Sequence, residues 1–140
     1  MTEEVHSILT RPRRIRSAIK KINIQIEGLR MSMLPGAIQY DKDKVSSSGS
    51  GDALANYVSK LDELETNKNK LQEEYLEAQD TIVRICDVLD DVQSEIIMLR
   101  YISCRDFSEI ADSIHLTERQ MFRLYKDGLA KLSVNVSECQ

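Results

Sequence analysis

Near the carboxyl end, Glu118, Arg119, Gln120, Arg123 and Lys126 crowd together the side chains that read nucleic-acid bases. Arginine suits a bidentate contact with guanine, glutamine with adenine, and glutamate the cytosine amino group. Lysine better suits phosphates, as do Lys126 and Lys131 here, and such contacts orient without specifying sequence. These side chains act together only if one helix displays them. Met121, Leu124, Gly128 and Leu132 recur at 3-4-4 spacing and supply the inner face of such a helix. Thr117 followed by Gln120 is a capping box at its start. Phe122 lies beside the outer side, where it could touch a thymine methyl or pack against the preceding helix. The candidate DNA-contacting residues are therefore Thr117, Glu118, Arg119, Gln120, Phe122, Arg123 and Lys126.

The elements that must hold this helix precede it. Asp106 followed by Glu109 repeats the capping-box pattern, and Ile110, Ala111 and Ile114 form a short apolar stripe. His115-Leu116 leaves room only for a tight turn. Two short helices joined so closely cross steeply and project the second, as in a helix-turn-helix. Asp90-Asp91 starts a further helix with Val92, Ile96, Leu99 and Ile102 as its stripe. Residues 91–134 are thus expected to form a DNA-binding domain.

Leu99-Arg100-Tyr101, Phe107-Ser108-Glu109-Ile110-Ala111, Leu116-Thr117-Glu118-Arg119 and Leu129-Ala130-Lys131-Leu132 together resemble region 4 of bacterial sigma factors, the domain that reads promoters. The middle stretch Tyr40-Asp41-Lys42-Asp43-Lys44-Val45, then Ser48-Gly49-Ser50-Gly51-Asp52, precedes a long helix and this tail. In that order the chain is similar to small phage-encoded late-gene transcriptional regulators, the ArpU-like group. The resemblance implies an activator of phage or prophage late genes.

Two longer helices are expected upstream. Residues 1–10 read as a loose leader, and Pro12 fits the first turn of a helix. Ile15, Ile19, Ile22, Ile26, Leu29 and Met33 then recur at alternating steps of four and three, the period of a helix packed along a seam. Pro35-Gly36 ends this basic element, residues 1–33. Residues 34–51 read as a loop whose serine-glycine half is a linker; the resemblance would make it a positioned segment instead. Asp52 is expected to cap a second helix over residues 52–90. Its seam is Leu61, Leu64, Lys68, Leu71, Tyr75, Ala78, Ile82, Ile85 and Leu89, with Lys68 the one polar intrusion. The fold expected is all-α: a long antiparallel, coiled-coil-like hairpin followed by a sigma region 4-like helix-turn-helix.

Charge favours that hairpin. Residues 1–33 hold seven Lys/Arg against three Asp/Glu, whereas residues 52–91 hold four against eleven. The Arg/Lys cluster of residues 11–21 is expected to complement the acidic helix, with phosphate contact as the other reading. A net charge of −4 argues against a protein that coats DNA indiscriminately. Within residues 117–132 the balance is four Lys/Arg against two Asp/Glu, enough for weak binding by a lone module. A second module is then needed: a homo-oligomer through the hairpin, RNA polymerase, or the basic first helix.

Other classes find little support. Cys86, Cys104 and Cys139 are widely and irregularly spaced, and His6 and His115 add no ligand cluster, so neither a metal site nor a cofactor is expected. No nucleophile–base set or Gly-rich phosphate loop occurs, and an enzyme is not expected. No apolar run approaches the ~18 residues of a membrane span, and no signal-peptide pattern opens the chain, so a cytoplasmic protein is expected. The reading is a sequence-specific transcriptional regulator of double-stranded DNA. Its rivals are a small terminase-like packaging subunit, which would form rings, and a helical protein-interaction module.

Overall fold

A computed structural model describes residues 2–33 and 49–138. Among them the chain forms five α-helices and no strand. These are α1 Glu3–Ser32, α2 Gly49–Ile85, α3 Asp91–Tyr101, α4 Phe107–Ser113 and α5 Glu118–Glu138, with a 3₁₀ turn at Cys86–Val88 between α2 and α3. No helix among the described residues is long and apolar enough to cross a membrane. Backbone contacts divide the chain into two units, residues 1–15 with 74–140, and residues 16–73.

In the first unit the start of α1 is structural. Residues 3–10, expected as a loose leader, are helical, and Val5 and Leu9 are fully buried. They join Ile82, Cys86, Leu89, Ile97, Leu132 and Val136 in one apolar cluster. Each such side chain contributes about 1.5–3 kcal/mol relative to exposure, which holds a segment that polar Thr2, Glu3, Glu4 and His6 had disguised. Pro12 consequently stands inside the helix and not in its first turn. Its ring is buried, and Arg14 steadies the preceding turn by donating from Nη2 to the Ser7 carbonyl at 3.1 Å.

A second cluster in this unit joins Ile96 of α3, Ile110 and Ala111 of α4, and Met121 of α5, with Phe107, Ile114, Phe122, Leu124 and Tyr125 packed against it. The inward stripe of α3 differs from expectation. Val92 is exposed, while Gln93, Ile96 and Ile97 are buried. Asp90 caps α3, its carboxylate accepting from the Gln93 amide at 2.8 Å.

In the second unit the seam positions Ile22, Ile26 and Leu29 of α1 and Leu61, Leu64, Lys68 and Leu71 of α2 are buried or half-buried. Arg30 bridges to Glu65 at 3.3 Å. Lys68 shares a groove with Asn23, Glu27, Glu65, Asn69 and Gln72, where amides and carboxylates spare a cation the cost of an apolar seam. Helix α2 begins at Gly49, so the end of the expected linker is helical and Asp52 lies within the first turn. Residues 34–48, which hold most of the expected loop and the middle motif Tyr40-Asp41-Lys42-Asp43-Lys44-Val45, lie outside the described residues.

The charge complement is looser than a set of ion pairs: Arg11 shares a groove with Glu77 and Asp80 of α2. Among the described residues, no Arg or Lys of residues 11–21 forms an ion pair with α2. The pairs found are Arg30–Glu65 and, within α2, Lys60–Glu63. All of these groups are exposed, where pairing gains at most about 1 kcal/mol, so little drives the long cations to one fixed geometry.

Candidate nucleic-acid interface

Helix α5 is positioned from both ends. At its start the Thr117 amide donates to Gln120 Oε1 at 3.1 Å, and the Gln120 amide donates to Thr117 Oγ1 at 3.2 Å. This is the reciprocal capping box that the sequence shows. Further along, Met121, Gly128, Leu132 and Val136 are buried. A Cβ added to Gly128 would lie 3.6 Å from Gln93 Cβ, an ordinary contact, so α3 and α5 approach closely here.

The opposite face is open. Glu118, Arg119, Gln120, Arg123 and Lys126 are all exposed, and Arg119, Arg123 and Lys126 follow one another at steps of four and three. That spacing puts three cations on one stripe of the helix. Helix α4 precedes it across residues 114–117, and its own end explains the tightness of the turn. His115 takes a left-handed backbone, φ 59°. Its amide returns to the Asp112 carbonyl at 3.3 Å, and the Leu116 amide to the Ala111 carbonyl at 3.0 Å. These are the two bonds of a Schellman cap, made without the usual glycine.

Two expectations at this site change, and an open one is decided. Asp106 stands at the N-cap of α4, but its side chain makes no capping bond; only its carbonyl accepts, from the Ile110 amide. Phe122 is half-buried, its ring 4.7 Å from that of Phe107, so of its two expected roles it takes packing against the preceding helix. Gln120 is exposed, yet its side-chain oxygen is committed to the cap. A bidentate grip on adenine needs both ends of the amide, so Gln120 is left with its NH₂ as a donor.

Other polar groups were not legible as part of the site. Arg100 lies 4.2 Å above the Phe107 ring and donates to the Arg105 carbonyl at 3.1 Å, fastening the segment that enters α4. The Tyr101 and Tyr125 hydroxyls hydrogen-bond to each other between α3 and α5. Burial, then that hydrogen bond, raises the Tyr125 phenol well above its ordinary pKa, against the opposing pull of Arg100.

Among the described residues no group of His, Cys, Asp and Glu is arranged to hold a metal ion. Cys86 is buried and Cys104 exposed. Comparison of the chain with protein-family models, with curated proteins and with solved structures finds no match.

Proposed function

We propose that this chain is a sequence-specific regulator of transcription that reads double-stranded DNA with α5. In this reading α4, the turn and α5 act as a helix-turn-helix resembling sigma region 4, and α1 with α2 as an antiparallel, coiled-coil-like hairpin. The observation that carries it is the exposed Arg119, Arg123 and Lys126 stripe on a helix whose other side is buried. Arg119 and Arg123 offer planar donors to guanine edges, Glu118 an acceptor for cytosine, and Lys126 a phosphate contact. Thr117 and Gln120 set the start of the helix, and Gln120 adds one donor.

Activation of phage or prophage late genes, from a cytoplasmic location and through contact with RNA polymerase, follows from the resemblance to ArpU-like regulators. Few cations face outward, so one copy binds weakly and a second module adds the missing phosphate contacts. Footprinting on the genome of origin tests the proposal. Protection beside a promoter supports it. Protection confined to a packaging site, or none at low salt, overturns it.

A further inference from the structure

Residues 5–26 carry six Lys/Arg and no Asp or Glu, in a chain whose net charge is −4. Two of the six are engaged within the chain. Arg11 lies in a groove with Glu77 and Asp80, and Arg14 donates to the Ser7 carbonyl. The other four, Arg13, Arg16, Lys20 and Lys21, are exposed, and among the described residues none of them forms an ion pair. Arg13, Arg16 and Lys20 follow one another at steps of three and four, which sets them on one side of α1.

The turns that lead into Arg13 are fastened to α5. Val5 and Leu9 share a buried cluster with Leu132 and Val136, and the Thr2 amide donates to Ser133 Oγ at 3.3 Å. These contacts fall in the carboxyl half of α5, whose amino half carries Arg119, Arg123 and Lys126.

We propose that this side of α1 is a second phosphate-binding surface, which holds the backbone of the duplex that α5 reads. At 1.5 Å per residue the stripe from Arg13 to Lys20 is roughly 10 Å long, and one strand of a duplex sets about three phosphates along that length of axis. A basic helix on a lipid surface needs an apolar side to bury there. In α1 that side is taken, because Val5, Leu9, Ile15 and Ile26 are buried within the protein. A row of phosphates asks only for a row of cations. Such contacts carry no sequence information, so α1 adds affinity and leaves base preference to α5. The role of α1 rests on the proposed DNA reading, which supplies the duplex.

Titration of the full chain on a selected duplex and on a random one, over a range of salt, tests the inference. Arg13→Gln with Lys20→Gln should keep helical circular dichroism and lower the slope of log affinity against log salt by about two on both duplexes. The ratio of affinities between the duplexes should stay the same. Lys60→Gln with Lys70→Gln removes equal charge from α2 and should leave the slope unchanged. No change of slope for the α1 pair, or an equal fall for the α2 pair, would overturn the inference. So would a fall seen on an RNA hairpin and not on duplex DNA. Equal affinity of the unaltered chain for both duplexes would overturn base reading by α5, while the slope still decides the role of α1.

Discussion

Lys131 on α5 donates from Nζ to Gln93 Oε1 on α3 at 3.0 Å. Gln93 is 3% exposed, so this bond supplies a partner to an amide oxygen that water barely reaches. The sequence placed Lys131 among phosphate-binding residues; its ammonium instead ties α5 to the helix behind it. Lys126, one turn earlier, makes no such bond and stays on the open face.

The two lysines should therefore separate cleanly. Lys131→Met strands the Gln93 oxygen and should lower stability by about 1–2 kcal/mol in urea unfolding, with the salt dependence of DNA binding unchanged. Lys126→Ala should leave stability within about 0.5 kcal/mol and reduce the salt slope by about one. The reverse assignment would show that the roles have been exchanged.

The two N-caps should also differ. Thr117→Ala removes the hydroxyl that receives the Gln120 amide and should cost about 1 kcal/mol. Asp106→Ala removes a carboxylate that caps nothing and should change stability by less than about 0.5 kcal/mol. Equal losses would mean that Asp106 caps α4 in solution.

The first residues carry weight that their composition hides. Leu9→Ala opens a hole beside Ile82 and Leu132 and should cost about 2–4 kcal/mol. Thermal unfolding followed by circular dichroism reads this directly, and a negligible loss would return residues 1–10 to the role of a loose leader.

Alkaline pH should weaken the fold. Burial, then the nearby Asp87 carboxylate, pushes the Cys86 thiol from 9.0 up to about 11. Above the lower value the unfolded thiol loses its proton while the folded one keeps it. Stability from this group is therefore full below pH 9 and falls as pH rises toward 11. Tyr125, whose pKa is also raised, acts in the same direction. Cys86→Ala should flatten part of the decline in urea midpoints between those pH values, whatever it costs in packing at neutral pH. An undiminished slope would exclude the thiol as a source.

What the sequence disclosed, and what it hid, follows from the reach of each interaction. The heptad seam on α2, the reciprocal cap at Thr117 and Gln120, and the outward set on α5 are properties of residues three or four apart, and they are legible in the chain. Gln93 facing inward and Val92 outward could not be read, because a polar residue is buried only when a distant partner such as Lys131 satisfies it. The burial of Val5 and Leu9 depends on α2 and α5, more than seventy residues away in sequence. The non-glycine cap at His115 left no glycine to signal the end of α4. Gln120 changed role because its side chain found Thr117 before any ligand, and Phe122 took the packing one of its two roles, against Phe107.

The central claim is that α5 reads bases, and selection from a random duplex pool tests it most directly. The full chain should enrich a recurring site, and Arg123→Ala, with folding intact, should lose roughly 1–3 kcal/mol of preference at a base pair within it. No enriched site, or an equal loss on selected and random duplexes, would contradict the account.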